Sequence, residues 1–229
     1  MTTIVGTAAY RARTKYTDEA AMRYQRRSPR KHRAEMRLLA RAFAPLMPGH
    51  VLDVPCGGGR MAAWLAGRGH RVTAADLSPA MRDIARDRLR GLDIAVDAED
   101  AEALSYPDGE FDAVLCFRLF HHFPTPEIRA RVVDELCRVS RRHVVLSYFS
   151  PWSGTALKRR LRHLLRGRPP AKFHTSLAEV QSYFERAGFV LMADHAQLRG
   201  IHSLHLAVFA SAPSPRHLPL SLVHPTASA

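Results

Sequence analysis

Ten consecutive residues restrict the possible folds of this chain more than any other stretch. Residues 51–54 form a short apolar run with one acid, Asp53, and the chain passes at once into the glycine-rich segment 55–60. The amphipathic run 61–66 follows, and Gly67 is positioned to end a helix there. Strand, glycine loop and helix in this order begin a nucleotide-binding βαβ unit. Because glycine has no Cβ, the loop backbone can adopt positive φ and lie against a ligand at the helix N-terminus.

A second acid supports this interpretation. The predicted strand 71–75 leads into Asp76, which stands 19 positions after Gly57. A carboxylate at this distance pairs with ribose hydroxyls in dinucleotide-binding folds. A glycine loop by itself does not select among NAD, FAD and phosphate sites. Two further stretches, 99–104 and 111–116, decide between the cofactors.

These stretches together resemble the class I S-adenosylmethionine (SAM) dependent methyltransferases, especially the compact small-molecule, type 11-like enzymes. The matching motifs, in chain order, are Asp53 to Gly59 (the first motif), Asp76 (the acid ending the second strand), Asp100-Ala101 (the pair beside the adenine) and Phe111-Asp112 (the start of the fourth strand). The resemblance covers residues 48–210 and is specific because four motifs share the family's order and spacing. It implies an α/β, Rossmann-like fold with a mostly parallel seven-stranded sheet, an antiparallel last strand and helices on both faces.

The resemblance implies SAM as the cofactor and S-adenosylhomocysteine (SAH) as its product. The residues that it assigns to cofactor binding are Asp53, Pro55, Gly57, Gly59, Asp76, Leu77, Met81, Asp100, Ala101 and Phe117. Pro55 departs from the pattern, because the family usually has its first glycine at that position. Proline can adopt the φ of a strand end, but it lacks an N–H donor.

Residues 1–47 are expected to form an N-terminal arm and cap helices. One helix is predicted to start at Ser28-Pro29, with a serine N-cap and a proline at the first helical position. In the family that the chain resembles, such helices cover the cofactor and often bring a tyrosine and a basic residue near the methionine carboxylate. Tyr24 and Arg33 are the candidates here. The alternative for each is a packed tyrosine and a solvated arginine.

Residues 48–210 are expected to form the SAM-binding domain. Its strands alternate with helices, which predicts ligand binding at the carboxyl ends of parallel strands. Ser78-Pro79 and the capping box from Ser176 to Glu179 predict two further helix starts. The β-rich runs 189–192 and 204–209 are consistent with the antiparallel final hairpin of methyltransferase sheets. Residues 211–229 are rich in Pro, Ser and Ala, which predicts a disordered tail.

The segment 117–123 follows the fourth strand, where the family presents residues to the transferred methyl group. Its pair His121-His122 resembles one found in many small-molecule methyltransferases. Since an imidazole has a pKa near neutrality, His121 is the first candidate for a general base and His122 the second. The alternative for His121 is a structural role in a loop or helix cap. Arg118 is a candidate for binding an acidic substrate group, and Tyr148 for lining the cleft.

Composition excludes several classes of protein. The sequence contains no run of about eighteen apolar residues, so no membrane span is predicted. The first fifteen residues lack the features of a signal peptide. The cysteines Cys56, Cys116 and Cys137 are far apart, which favours a reducing, cytoplasmic setting and argues against a zinc site. The thirteen histidines are scattered, so no metal site is predicted.

The chain carries a net charge of +13, and its basic residues cluster at 26–33 and 158–168. Either these basic side chains are simply hydrated on the protein surface, or they face a partner with negative charge: nucleic acid, an anionic membrane or an acidic substrate. In the insertion 150–175, the residues Leu157, Leu161, Leu164 and Leu165 form one apolar stripe among basic residues. A lid over the substrate cleft is the preferred interpretation. A helix at the membrane surface comes second, which would make the protein peripheral there, and a nucleic-acid contact is a further alternative.

The sequence therefore predicts a methyltransferase that acts on a small molecule, acidic or lipid-like ones included, with oxygen preferred over nitrogen or carbon as the acceptor atom. An RNA methyltransferase that uses the basic clusters is one alternative. A SAM-binding module without catalysis is another. The fourth strand is not followed by the Asn/Asp-Pro-Pro-Tyr/Phe motif of amino-directed nucleic-acid methylation, and Cys116 lacks the adjoining proline of a cytosine-C5 enzyme.

Overall fold

The computed structural model describes residues 28–158, 172–198 and 200–212. Three predictions fall wholly or mainly outside these ranges: the role of Tyr24, the conformation of residues 159–171 within the insertion, and the tail beyond residue 212. The domain boundaries at residues 47 and 210 stay predictions.

Seven strands form one sheet within the described residues. They are β1 (His50–Asp53), β2 (Arg71–Ala75), β3 (Ile94–Asp97), β4 (Phe111–Cys116), β5 (Ser140–Phe149), β6 (Phe189–Ala196) and β7 (Leu204–Ser211). Their spatial order is β3-β2-β1-β4-β5-β7-β6. The pairs among β1 to β5 are parallel, whereas β7 runs antiparallel to both β5 and β6. The predicted fold class, with its antiparallel last strand, is confirmed.

Helices and a 3-10 turn connect the strands. They are α1 (Pro29–Phe43), α2 (Arg60–Ala66), α3 (Pro79–Arg88), the 3-10 turn Phe120–His122, α4 (Pro126–Val139) and α5 (Leu177–Arg186); residues 154–158 are also helical. Ser78 and Ser176 cap α3 and α5 by accepting the amides of Met81 and Glu179. Ser28 precedes α1 as predicted, but its side chain makes no capping hydrogen bond. There the proline alone marks the start of the helix.

The sheet is buried on both faces, and neighbouring residues of a strand serve opposite faces. Val114 and Val144 belong to a core with α4 and α5, while Leu115 and Val145 belong to a core with α1 and α2. This alternation follows from the two-residue period of a strand. Because every central strand is covered twice, the loops at the strand ends remain as places where a ligand can enter.

Among the described residues, no helix is both long enough and apolar enough to cross a membrane.

Candidate active site

A cavity of about 180 Å³ lies where β1, β2, β3 and β4 end and the loops after them begin. Its walls come from four consecutive stretches of the chain. They are Val54, Pro55, Cys56, Gly57, Arg60 and Met61 after β1; Asp76, Leu77, Ser78, Pro79 and Met81 after β2; Glu99, Asp100 and Ala101 after β3; and Phe117, Arg118, Leu119 and His122 after β4. Parallel strands bring their carboxyl ends to one edge of the sheet, which is where such folds bind ligands.

Asp76 connects two walls of the cavity. Its Oδ2 accepts the Gly57 amide at 2.8 Å, and its Oδ1 accepts the Ser78 amide at 2.9 Å. Burial raises the pKa of this carboxyl, and the two backbone hydrogen bonds oppose the shift. Each carboxylate oxygen has a second lone pair, so Asp76 can accept a ligand hydroxyl while it holds the glycine loop in place.

Asp53 is fully buried behind the loop and does not line the cavity. Burial raises the pKa of its carboxyl from 3.8 to about 8, with a further contribution from the charge of Asp76. The Ala62 amide opposes this shift, although neither carboxylate oxygen completes a hydrogen bond within the described residues. Asp53 is therefore mostly protonated at neutral pH in the folded protein.

The three glycines of the loop have different surroundings. Gly57 lines the cavity with a φ of 53°. Gly59 lies outside the cavity wall, and a Cβ there would meet Leu89 at 3.1 Å and the Ala85 backbone at 3.3 Å. A Cβ on Gly58 would meet Ile84 at 2.8 Å. Gly58 and Gly59 therefore also allow the loop to pack against α3 and the residue that follows it, and the cofactor-binding role of Gly59 stays a prediction.

The wall after β3 is acidic. Asp100 caps its own turn by accepting the Glu102 amide at 3.1 Å, and Glu99 accepts the Ser105 amide at 2.9 Å. Two guanidinium groups, those of Arg60 and Arg118, also line the cavity. Cys56 also lines the wall, but burial raises the pKa of its thiol, so the thiol stays protonated at neutral pH and is a poor nucleophile.

Comparison with known proteins identifies this architecture. The family model of the methyltransferase domain matches residues 51–143. The ubiquinone biosynthesis O-methyltransferase of Coxiella burnetii is 38% identical over 80 residues, which cover 34% of this chain and 34% of that protein. Methyltransferase GfsG of Streptomyces halstedii is 41% identical over 99 residues, covering 41% of this chain and 34% of that protein. Residues 51–143 therefore carry a methyltransferase domain. The predicted cofactor and enzyme class are those of this family.

Solved structures agree on the fold of the chain. Magnesium protoporphyrin IX methyltransferase from Synechocystis PCC 6803, solved with bound SAH, has a TM-score of 0.66 at 17% identity and matches 80% of this chain and 84% of its own. The PH0226 protein of Pyrococcus horikoshii has a TM-score of 0.65 at 21% identity and matches 81% and 93%. The matching segments span about a third of the length of the curated relatives.

The two histidines that follow β4, His121 and His122, have different surroundings. His122 lines the cavity. His121 lies outside the cavity wall, where its ring stacks on Phe149 with centroids 4.0 Å apart and an interplanar angle of 7°. The two imidazoles are in contact, with centroids 4.2 Å apart. Of the pair, His122, the second candidate of the sequence analysis, borders the cavity.

Most of the remaining predicted residues meet at the cavity, and four do not: Gly59, Arg33, Tyr148 and Asp53. Those on the wall are Pro55, Gly57, Asp76, Leu77, Met81, Asp100, Ala101, Phe117 and Arg118. Arg33 is exposed on α1 and is not part of the wall. Tyr148 is buried away from it, and its hydroxyl lies 3.1 Å from an Asp194 carboxylate oxygen, to which it donates. Asp53 supports the loop from behind.

Two side chains at this site were missed by sequence reasoning. Arg60 follows the glycine loop directly and lines the cavity, but it was treated only as the end of the motif. Glu35 is buried on α1, where it pairs with Arg118 at 2.9 Å. A signal was present: Glu35 is the single acid among residues 28–47, and it lies on the apolar side of a helix with Leu38, Leu39 and Ala42. An acid at such a position needs a cationic partner.

Proposed function

We propose that this methyltransferase binds SAM and transfers its methyl group to an oxygen atom of a small molecule. The observation that carries the proposal is the convergence, on one cavity, of the glycine loop, the buried carboxylate of Asp76 and the imidazole of His122. Family membership supports the cofactor, and the cavity offers groups that suit each part of it.

The donor set fits SAM better than a dinucleotide. Asp76 has acceptor capacity for ribose hydroxyls, and Asp100 and Ala101 occupy the positions that the family uses beside the adenine. The acids Asp76, Glu99 and Asp100 favour a ligand without phosphate groups, since like charges repel. The arginines Arg60 and Arg118, which also line the cavity, suit an anionic end of the ligand.

The bound cofactor supplies an electrophilic methyl group on a sulfonium, and transfer is an in-line displacement. The protein's task is to hold the acceptor in line and to accept its proton. His122 borders the cavity and is proposed to take that proton on an imidazole nitrogen. His121 packs between His122 and Phe149, so its proposed role is to orient His122.

Oxygen is the preferred acceptor atom for two reasons. The Coxiella burnetii relative is named an O-methyltransferase. An acceptor hydroxyl also gains most from a neutral imidazole, because loss of its proton creates the nucleophile.

The first experiment is calorimetric titration with SAH. Wild type is expected to bind with micromolar affinity, and Asp76→Ala to bind at least tenfold more weakly. The control Asp87→Ala removes an exposed aspartate of α3 and is expected to bind as wild type does. Absence of SAH binding by folded wild type would overturn the proposal.

Transfer is tested next with methyl-labelled SAM, a panel of phenols and total RNA. Label on a phenolic oxygen supports the proposal. Salt-sensitive RNA binding with label in the RNA would favour the alternative acceptor. SAH binding without transfer to any acceptor would favour a non-catalytic module.

Contact with a membrane surface is proposed as a property of the same protein. Trp152 is 81% exposed and Leu157 61% exposed, and the run of residues 158–168 contains six basic residues and no acid. Exposed apolar side chains beside basic ones suit a lipid surface with anionic headgroups. The cytoplasmic location stays a prediction.

A further inference from the structure

A buried arginine of α4 connects two helices to the 3-10 turn that carries the histidines. Arg129 is 7% exposed. Its Nη1 donates to Glu179 Oε1 of α5 at 2.7 Å, and its Nη2 donates to the Phe123 carbonyl oxygen at 3.1 Å. Phe123 directly follows the turn Phe120–His122. One guanidinium therefore holds the end of that turn against α5.

A tyrosine of α5 closes this network from the other side. The Tyr183 hydroxyl donates to the same carboxylate oxygen, Glu179 Oε1, at 2.8 Å. Its ring packs edge-on against Phe120, the first residue of the turn, with ring centroids 6.4 Å apart. Both ends of the turn are thus connected to one carboxylate, the first end through Tyr183 and the last end through Arg129.

A second carbonyl of the turn is fixed by the segment that follows the insertion. The Phe173 amide donates to the His121 carbonyl oxygen at 2.8 Å. Three residues further on, Ser176 caps α5 by accepting the Glu179 amide at 3.1 Å. The chain that returns from the insertion thus contacts the turn directly and then supplies the carboxylate that pairs with Arg129.

Stability alone does not account for an arginine at this position. A buried ion pair contributes little net stability compared with apolar side chains of similar volume. Arg129 is also the fourth residue of α4, near the positive end of the helix dipole, where a cation is unfavourable. What the guanidinium adds is geometry, because its planar fork bonds a carboxylate and a backbone carbonyl at the same time.

We propose that Arg129 is a positioning residue for His122, which it holds at the cavity by fixing the end of the turn Phe120–His122. The inference rests on the proposed function, because it concerns the histidine that is proposed to take the acceptor's proton. His122 lines the cavity, whereas Arg129 does not. Arg129 therefore acts through the turn. A base must lie within hydrogen-bond reach of the proton that it accepts, and a displaced turn carries the imidazole out of that reach.

The test compares Arg129→Gln with Arg138→Gln, a matched control on the same helix, in the full chain. Arg138 also bonds a carboxylate, Glu135, and two backbone carbonyls, but these carbonyls belong to the segment 104–106 that precedes β4. Initial rates are measured with methyl-labelled SAM and the phenol of the panel that wild type methylates fastest. Each variant is also made in the His122→Phe background, and calorimetric titration with SAH reports the state of the cofactor site.

Arg129→Gln is expected to lower kcat at least tenfold with SAH affinity within twofold of wild type, whereas Arg138→Gln lowers kcat less than twofold. In the His122→Phe background, Arg129→Gln is expected to lower kcat less than threefold further, because a residue that acts through an imidazole loses its effect once that imidazole is absent. A smaller loss of kcat in Arg129→Gln, an equal loss in Arg138→Gln, or a further loss of threefold or more in the His122→Phe background overturns the inference. A merely structural role would multiply with the loss of the base.

Hydrogen exchange gives a readout that needs no acceptor. The amides of His122 and Phe123 donate to the carbonyls of Leu119 and Phe120, so they report on the turn itself. Arg129→Gln is expected to speed exchange of the peptide that contains these amides at least tenfold, while exchange in β1 and β4 stays within twofold of wild type. Unchanged exchange in the turn, or faster exchange throughout the protein, overturns the inference.

The two proposals fail in different ways. Wild type that methylates no acceptor overturns the proposed function, and exchange in the turn then decides by itself whether Arg129 positions His122. Transfer by wild type with no response of kcat or exchange to Arg129→Gln overturns this inference alone. Should Arg129→Gln not fold, Glu179→Ala is judged by the same criteria, because it removes the carboxylate that holds the guanidinium in place.

Discussion

His121 and His122 are neighbours in the chain, yet their rings have different surroundings. The ring of His121 stacks on Phe149, whereas His122 lines the cavity. Phenylalanine at either position retains an aromatic ring and removes the proton acceptor. His122→Phe is expected to lower kcat about 100-fold or more, the usual contribution of a general base. His121→Phe retains the stack on Phe149 and is expected to lose less than tenfold.

The measurement is the initial rate of methyl transfer at saturating SAM, with SAH affinity as the control for an intact cofactor site. A large loss of kcat in His121→Phe together with normal turnover in His122→Phe would contradict the assignment of the base.

Because the pKa of the Asp53 carboxyl is raised in the folded protein, we expect the stability of the fold to depend on pH. Its pKa is about 8 in the folded protein against an ordinary value of 3.8, so the folded state binds the proton more tightly than the unfolded state. The resulting stabilisation is complete below about pH 4 and is lost as the pH rises through 8. The loss is at most about 1.4 kcal/mol for each pH unit within that window.

Asp53→Asn, which is neutral at every pH, is expected to reduce this decline. Urea unfolding at several values between pH 5 and pH 9 measures it, with the exposed-site variant Asp87→Asn as control. A residual decline is expected, because burial also raises the pKa of Asp76. Identical slopes for wild type and Asp53→Asn would contradict the prediction.

At the scale of elements, the glycine loop and α3 fit together as one unit. Gly59 and Gly91 both have positive φ, 72° and 84°. A Cβ at Gly91 would meet nothing within 4 Å, whereas at Gly59 it would meet Leu89 and Ala85. The pair therefore separates the cost of the backbone conformation from the cost of packing.

Gly91→Ala is expected to destabilise the protein by about 1–2 kcal/mol, the cost of a left-handed L-residue. Gly59→Ala is expected to cost about 1–3 kcal/mol more because of overpacking against α3. Urea unfolding of both variants measures the difference. Equal destabilisation would mean that the loop relaxes away from the helix without cost.

The element boundaries also show which helix and strand ends can be predicted from a local sequence pattern and which cannot. Helix α3 was predicted from Ser78-Pro79, and it begins there because the serine hydroxyl and the proline ring act locally. Strand β5 extends over Ser140–Phe149. Its first residues, Ser140, Arg141 and Arg142, are polar, and they are extended because Ser140 pairs with Phe111 of β4. No local period encodes such a pairing.

At the scale of the whole molecule, we expect the exposed surface around Trp152 and Leu157 to associate with lipid. Trp152 and Leu157 are exposed. Their segment lies beside the turn that carries Ile201, because the Thr155 amide donates to the Ile201 carbonyl at 3.1 Å. Wild type is expected to sediment with vesicles of phosphatidylcholine and phosphatidylglycerol, and less so as the salt concentration rises.

Trp152→Ser is expected to weaken this association about tenfold, because an aromatic ring is no longer buried in the interface. The control Met47→Ser removes an apolar side chain that is 92% exposed at another place on the surface. Equal effects of the two substitutions, or no binding of wild type to anionic vesicles, would contradict the prediction.

The sequence by itself determined the order of strands and helices, the glycine loop and the acid after β2. These features depend on residues that are close in the chain: a glycine without a Cβ, a proline that fixes φ, a serine that caps its own helix. Their physics is local, so a linear pattern carries it. The family resemblance followed from the same motifs and is confirmed.

Only the tertiary structure decided which side chains share the cavity. His121 and His122 have the same local chemistry, and the stack on Phe149 of β5 separates them. Glu35 and Arg118 are 83 positions apart, and no spacing rule links them. Contacts of this kind depend on how α1 packs against the sheet, because burial of a charge is stable only where a distant partner compensates it.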